Sequence, residues 1–362
     1  MRHGHHSRLL PGAVIVAMWS ACAGEKQSAK KIAPARPVGA VIQVRLQLGL
    51  PPVPVPESNP LTAETVDLGR RLFYDAKLSG DNTVSCASCH APRAGFADPR
   101  QFSVGMGGKT GNRNAPTALN AAYHPVQFWD GRAASLEEQA AGPIGNPVEM
   151  NLQHEVCAAR IDTDPAYKPL FEKAFGPGPV TMDKITKAIA SFERTLVSGN
   201  SPFDRYQYGG DKKAMGAAAI RGLGIFRDAK RGNCVTCHTI GEKDALFTDG
   251  KFHNLGVGLN SRGELTDLGR YDQTKVETDK GAFRTPTLRN IALTAPYMHD
   301  GSQKTLRDVV DFYVGGGSSN PHLDKDIKEL KLSGKERADL AAFLEALTGE
   351  MPVNAGPLAL NR

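Results

Sequence analysis

Two strings of the form Cys-x-x-Cys-His carry the most specific chemistry in this sequence. The first comprises Cys86, Cys89 and His90, and the second comprises Cys234, Cys237 and His238. In such a string the two thiols form thioether bonds to the vinyl groups of a haem, and the histidine becomes an iron ligand. A zinc or redox Cys-x-x-Cys motif is the alternative, but two matches within repeated sequence make chance negligible. The sequence therefore predicts two covalent c-type haems.

The chain repeats itself around the two strings. Residues 72–77 lead into the first string, and the similar residues 225–230 lead into the second. Downstream, the second copy repeats the spacing of the first. The matching positions are Pro116-Thr117 with Pro286-Thr287, Asn120 with Asn290, Asp130-Gly131 with Asp300-Gly301, and Leu136 with Leu306. We predict an all-α fold class, with two tandem cytochrome c-like haem domains and long loops. Their ranges are 61–204 and 205–348, with the boundary near residues 199–210.

Two helices that frame these domains show clear start signals. Thr62 is a candidate N-cap, and Leu68, Leu72 and Phe73 follow at helical spacing. The last helix, 333–348, begins at Ser333 with Glu336 three residues on, which is the spacing of a capping box. Its apolar face consists of Leu340, Phe343, Leu344 and Leu347. This helix could pack on the N-terminal domain.

The first 60 residues indicate export. Residues 1–23 resemble a signal peptide, with Arg2 and Arg8 beside a short apolar stretch, and residues 24–60 form a Pro-rich tether. Two interpretations of Cys22 remain open: cleavage at Ala21-Cys22-Ala23, or lipidation of Cys22 as a membrane anchor. Either places the protein in the periplasm. Cys157 stands alone, so there is no disulfide framework, and it is predicted to be a small buried residue.

The charge of the chain excludes one class of partner. The formal net charge is +6, and loss of Arg2 and Arg8 with the signal peptide leaves about +4 (6 − 2). No basic run is interleaved with aromatic residues, so no nucleic-acid partner is expected.

The two repeats differ at the position that could fill the sixth coordination site of the iron. Tyr313 lies 12 residues after Gly301, and Pro143 lies 12 residues after Gly131. Tyr313 shares a helix face with Leu306, Val309 and Val310, so its phenol could reach the iron, although an ordinary core tyrosine is an equal alternative. Proline offers no ligand. This contrast predicts a closed C-terminal haem and an open N-terminal haem.

These features resemble the di-haem bacterial cytochrome c peroxidase/MauG family over residues 60–348. The motifs that carry the resemblance, besides the two haem strings, are residues 113–117, 128–132, 143–150, 252–254 and 286–301. The resemblance implies that Glu149 is the distal carboxylate of the peroxide-binding haem and that Gln139 supports it. It implies that Trp129 lies between the haems. It also implies a structural calcium bound by Asn114, Thr294 and Pro296, the last two through backbone carbonyls.

The chemistry of these residues agrees with the implied roles. Cleaving a peroxide O–O bond needs a base for one oxygen and an acid for the other, and one carboxylate can serve as both. Glu149 is the candidate, with a surface loop carboxylate as the alternative. Trp129 offers an oxidisable indole, with a core aromatic as the alternative. An amide and carbonyls are the oxygen ligands that calcium prefers.

Two departures from ordinary members point to the MauG/MbnH-like branch. Tyr313 stands where ordinary peroxidases have Met, and a tyrosine favours ferric and higher iron states. Met106 stands where many of them have a blocking His, and it is interpreted as a loop residue that could in principle bind iron. Gly232 stands where MauG has a tryptophan used for transfer to its partner, so a different docking route is expected.

Three functions follow as hypotheses. The first is an enzyme that reacts with hydrogen peroxide at the N-terminal haem and uses a high-valent di-haem state to oxidise residues, tryptophan among them, of a periplasmic partner protein. The second is a conventional peroxidase that reduces hydrogen peroxide to water with electrons from a small cytochrome c or copper protein. The third is a two-haem electron carrier, against which Pro143 argues because carriers usually have both iron positions filled.

Overall fold

The fold was analysed in a computed structural model that describes residues 1–4 and 34–358. The expected lipidation or cleavage site at Cys22 and most of the expected signal peptide lie outside the described residues. Among the described residues, no helix combines the length and apolar character needed to cross a membrane.

Helices joined by long loops make up most of the regular structure in the described ranges. The helices are α1 Ala63–Tyr74, α2 Cys86–Cys89, α3 Leu136–Gly145, α4 His154–Asp162, α5 Lys168–Phe175, α6 Met182–Glu193, α7 Pro202–Gln207, α8 Ala217–Arg227, α9 Tyr271–Thr274, α10 Leu306–Val314 and α11 Gly334–Glu345. Strands β1 Phe252–Asn254 and β2 Ala282–Arg284 pair antiparallel, with His253 opposite Phe283. The expected all-α class therefore holds only in part.

The first hydrophobic core lies between α1 and α6. Thr62 caps α1 as predicted, because its side chain accepts a hydrogen bond from the backbone N–H of Thr65. Leu72 and Phe73 are fully buried in this core, as is Cys157, which confirms its predicted burial. Gly69 lets the helices approach closely, since a Cβ atom there would overlap the Ala188 carbonyl. Leu196 is the last residue in sequence order that is buried in this core.

The second core repeats this arrangement with α8 and α11. Gly222 occupies in α8 the place of Gly69 in α1, and a Cβ atom there would overlap the Asp339 carbonyl. The predicted capping box at Ser333 and Glu336 is confirmed. α11 packs against α8 and α10 in the second core, and its Phe343 ring lies 5.9 Å from that of Phe203 between centroids. The division into domains at 204/205 stays a prediction, since residues 35–358 belong to a single compact unit.

Residues 35–60 differ from the expected loose tether. They contain no helix or strand, yet they pack along the rest of this unit, and Leu50 is buried. The side chain of Gln47 donates to the Val197 carbonyl at 3.0 Å and accepts from the Gly199 N–H at 2.6 Å. The Gly49 carbonyl accepts from the buried guanidinium of Arg289. We call residues 35–60 the strap.

Candidate active site

The first haem-attachment string folds as one helical turn. Cys86 and Cys89 bound α2 and, three positions apart, lie on the same face. His90 ends the turn, and its Nδ1 lies 3.1 Å from the carbonyl oxygen of Phe96. When Nδ1–H donates to that carbonyl, Nε2 is left as the metal-binding atom. Burial lowers the pKa of His90, which favours the neutral imidazole that iron requires.

The second string is built in the same way. Cys234 begins a 3₁₀ turn, and Nδ1 of His238 lies 2.9 Å from the carbonyl oxygen of Phe247. Phe96 and Phe247 both have positive φ, at 57° and 53°, a region that L residues rarely adopt. The two halves therefore orient their histidines by the same backbone device.

The second haem string borders an apolar cavity of about 220 Å³. Cys234, Cys237 and His238 line it, and Tyr313 lines it from α10. The apolar side chains that accompany Tyr313 are those predicted from the helix face, namely Leu306, Val309 and Val310. Burial raises the pKa of Tyr313, so the phenol keeps its proton until a cation lies beside its oxygen.

The charges around this cavity fit a haem. Arg284 lines the cavity and is only 3% exposed, yet it forms an ion pair with no described carboxylate. Burial alone lowers its pKa to about 10. His124 also lines the cavity, and its buried Nδ1 has no hydrogen-bond partner among the described residues. A haem carries two propionate groups, which would supply the carboxylates that these side chains lack.

Trp129 lies where the two halves of the chain meet. Its indole Nε1 donates to the Asn114 carbonyl at 2.9 Å, and its ring is 6.4 Å from that of His299 between centroids. Its own carbonyl accepts from the Arg284 N–H at 2.8 Å. The indole lines the cavity of the second haem string while belonging to the N-terminal half. A residue at this position can contact groups of both the N-terminal and the C-terminal half.

The other predicted residues lie together at the end of α3. Gln139 and Pro143 are one turn apart on this helix, and Glu149 follows it. The Asn146 side chain donates to Oε1 of Glu149 at 2.7 Å. Burial raises the pKa of Glu149, whereas Asn146 and the charge of Arg132 oppose that rise.

The Glu149 carboxyl lies near the first haem string. Burial raises the pKa of the Cys89 thiol, and the negative charge of Glu149 contributes in the same direction. The place of Glu149 beside the N-terminal haem stays a prediction. Gln139 forms no hydrogen bond with Glu149. Asn146 instead makes the supporting hydrogen bond that the resemblance implies for Gln139.

Comparison with known proteins identifies the family. A model described as di-haem cytochrome c peroxidase matches residues 63–213. The methylamine utilization protein MauG of Methylorubrum extorquens is 42% identical over 301 residues, which is 82% of each chain. The chain belongs to the di-haem cytochrome c peroxidase/MauG family.

Other relatives span both branches of the di-haem family. A cytochrome c551 peroxidase of Nitrosomonas europaea is 39% identical over 299 residues, covering 83% of this chain and 84% of that protein. A solved structure of a MauG-like protein associated with microbial copper homeostasis matches with a TM-score of 0.74 and 36% identity, covering 84% of this chain and 95% of that one. As a member of the di-haem family, this protein is an oxidoreductase that uses hydrogen peroxide, and the family carries two c-type haems.

Met106 is tied to the Glu149 segment. Its backbone N–H donates to the Glu149 carbonyl at 2.7 Å. Its side chain packs against the first core beside Gly80. The adjacent Gly105 lies so close to Val148 and Glu149 that a Cβ atom would overlap their backbones. The loop and the Glu149 segment therefore hold each other in place.

The three residues expected to bind calcium lie around the cavity of the second haem string. Asn114, Thr294 and Pro296 all line it. The amide nitrogen of Asn114 donates to the Arg100 carbonyl at 2.8 Å, which leaves its Oδ1 as the atom available to a cation. Amide oxygens and backbone carbonyls are ligand atoms of the type that calcium accepts.

Several contacts of the site escaped the sequence analysis. The carbonyls of Phe96 and Phe247 belong to a repeated Phe-x-Asp string, 96–98 and 247–249, which could have revealed them. His253 is held between Asp324 at 2.6 Å and Asp249 at 3.0 Å. The Cys237 thiol lies beside Asp249 and His253, but thioether formation would remove it as a metal ligand. The two carboxylates are therefore interpreted as hydrogen-bond partners that hold the His253 ring in place.

Proposed function

We propose that this member of the di-haem family is a MauG-type enzyme that reacts with hydrogen peroxide beside Glu149 and oxidises side chains, tryptophan among them, of a partner protein. The observation that carries the proposal is the asymmetry between Tyr313 and Pro143. Tyr313 lines the cavity that also holds Cys234 and His238, whereas the equivalent position in the other half has no donor atom.

The haems, when bound, supply the redox chemistry: they accept oxidising equivalents from peroxide and pass them on. The protein supplies proton transfer and positioning. Glu149 would take the proton from the inner peroxide oxygen and return it to the outer oxygen as water leaves. Its raised pKa suits a group that must both accept and release a proton.

Trp129 and Tyr313 would direct charge away from the site of peroxide reaction. The Trp129 indole is oxidisable and lies between the halves, with its N–H held by the Asn114 carbonyl. The Tyr313 oxygen, a harder ligand than a Met sulfur, would favour the oxidised iron at the second site. Asn114, Thr294 and Pro296 would bind a calcium ion that fixes the Trp129 segment, because Asn114 belongs to both contacts.

Two further assignments accompany this function. We place the protein in the periplasm, because haem attachment through Cys-x-x-Cys-His suits an exported chain and residues 1–23 resemble a signal peptide. Lipidation at Cys22 would anchor it to a membrane, and cleavage after Ala21-Cys22-Ala23 would release it.

One experiment separates the proposal from a conventional peroxidase. Hydrogen peroxide is added to the diferric holoprotein, and optical and Mössbauer spectra are recorded. A long-lived state oxidised by two electrons, formed without prior reduction, is the expected result. Activity only after reduction of one haem, with rapid turnover of a reduced small cytochrome c or copper protein, would replace the proposal with the peroxidase. Absence of any reaction with peroxide would leave an electron carrier.

A further inference from the structure

A buried carboxyl group lies beside the first haem string and has no part in the reaction described above. Glu193 ends α6 and is only 6% exposed. Its Oε2 atom is buried and has no hydrogen-bond partner among the described residues. An acid in such surroundings is costly to ionise, and it usually has a reason to be there.

The end of α6 lies close to His90. The ring of Phe192, next to Glu193, is 5.2 Å from that of Phe73, and Phe73 is 6.5 Å from the His90 ring, between centroids. Burial raises the pKa of the Cys86 thiol, and the negative charge of Glu193 contributes in the same direction. The carboxyl is thus near the edge at which a haem would be attached.

The charged groups around Glu193 do not neutralise it. Arg194 is the nearby cation, but both its terminal nitrogens are bonded to Glu137, at 2.7 and 3.0 Å. The charge of Glu137 opposes ionisation of Glu193, whereas that of Arg194 favours it. Burial is the dominant effect and raises the pKa of Glu193 to about 8. A small change in nearby charge would therefore switch its protonation at ordinary pH.

We propose that Glu193 is a redox-linked proton site of the haem attached at Cys86, which holds a proton when that haem is reduced and releases it when the haem is oxidised. The inference rests on haem attachment at Cys86, Cys89 and His90, and not on which partner is oxidised. Removal of one electron by an external oxidant such as ferricyanide adds one positive charge at the iron. That charge favours the Glu193 carboxylate, so up to one proton leaves to solvent per electron.

The test is a spectroelectrochemical titration of the holoprotein from about pH 6 to about pH 10, spanning the raised pKa. The high-spin bands of the open haem report its midpoint potential. In the unmodified protein this potential should fall as pH rises, by up to about 59 mV for each tenfold drop in proton concentration, the limit for one electron and one proton. Glu193→Gln, which keeps the shape of the neutral acid, should make the potential nearly independent of pH.

One control locates the effect. Glu138→Gln removes an exposed carboxylate from α3 and should retain the slope. A potential that is independent of pH in the unmodified protein, or a slope that survives Glu193→Gln, overturns the proposal.

Infrared difference spectra of the reduced and oxidised holoprotein give a second readout, which does not depend on how well the variant folds. A protonated-carboxyl band should accompany the reduced state, and its absence from the unmodified protein would contradict the proposal. A pyridine haemochrome count of haems per chain tests the underlying attachment separately, because attachment does not require Glu193.

Discussion

At the scale of single residues, Glu149 has the features of a proton-transfer group. It is partly enclosed, it accepts a hydrogen bond from Asn146, and burial raises its pKa. We expect Glu149→Gln to slow the reaction of the holoprotein with peroxide by about 10²–10⁴-fold, the usual contribution of a positioned acid–base group. Stopped-flow absorbance measures this rate, and Glu138→Gln is the matched control. An unchanged rate in Glu149→Gln would remove Glu149 from the reaction.

The same carboxyl predicts the pH dependence of that rate. Glu149 must be ionised to accept the peroxide proton, and its pKa lies above the ordinary value for a glutamate. The rate should therefore fall as pH decreases through this raised pKa. Asn146→Ala removes a hydrogen bond that favours the ionised form, so it should shift the acidic limb of the profile to higher pH. A shift to lower pH would contradict this role for Asn146.

Tyr313 carries the prediction for the second haem. Replacing Tyr313 with Met should raise the potential of this haem, because Met favours reduced iron. It should also shorten the lifetime of the peroxide-generated oxidised state about tenfold or more, which corresponds to ~1.4 kcal/mol. Tyr297→Phe, which alters another phenol lining the cavity, should leave both unchanged. Retention of full partner oxidation by Tyr313→Met would contradict the proposed role.

Sequence reasoning succeeded where structure is local. The caps at Thr62 and Ser333 and the face of α10 that carries Tyr313 depend on spacing alone. The partner of Glu149 was missed because an Asn side chain bonding three residues on is common in turns, and nothing in the pattern tied it to Glu149. Glu193 was missed because its burial follows from the packing of α6 on α1, which spacing alone does not give.

At the scale of elements, the two haem strings depend on paired helices. α1 packs on α6, and α8 packs on α11, each pair through a glycine that permits close approach. This repeat was visible as sequence, but the partner of each helix was not. An apolar face does not specify what covers it, so the partners of the last helix could not be predicted.

The cap of α11 provides a test at this scale. Ser333 accepts from the Glu336 N–H, and the Glu336 carboxylate accepts from the Ser333 N–H at 2.7 Å. Ser333→Ala should lower the free energy of unfolding by about 1 kcal/mol, the usual cost of losing an N-cap. Ser302→Ala, at an exposed loop position, should have little effect. Denaturant titration followed by circular dichroism measures the difference, and equal stability of both variants would argue against the cap.

At the scale of the whole molecule, Arg289 joins distant parts of the chain. It is buried, and its guanidinium bonds both oxygens of Asp204 at 2.9 Å and the Ala245 carbonyl at 2.6 Å. It also bonds Gly49 in the strap. The network is fully enclosed, so its ions depend on one another for neutralisation.

Breaking this pair should be costly. Asp204→Asn leaves the Arg289 charge buried without a counter-charge and should destabilise the fold by about 3–5 kcal/mol. The exposed pair of Lys275 and Asp272 is the control: Asp272→Asn should cost less than about 1 kcal/mol. Thermal unfolding of both variants against the unmodified protein measures the contrast. Similar losses of stability in the two variants would show that the Arg289 charge is sufficiently solvated without Asp204.

The strap also constrains the order in which the molecule can be completed. Gly49 is made early, but the guanidinium that binds it is 240 residues further along the chain. Residue 289 must therefore be available before this contact closes, and contacts of such long separation form slowly. The strap is therefore among the last of the described segments to be fixed.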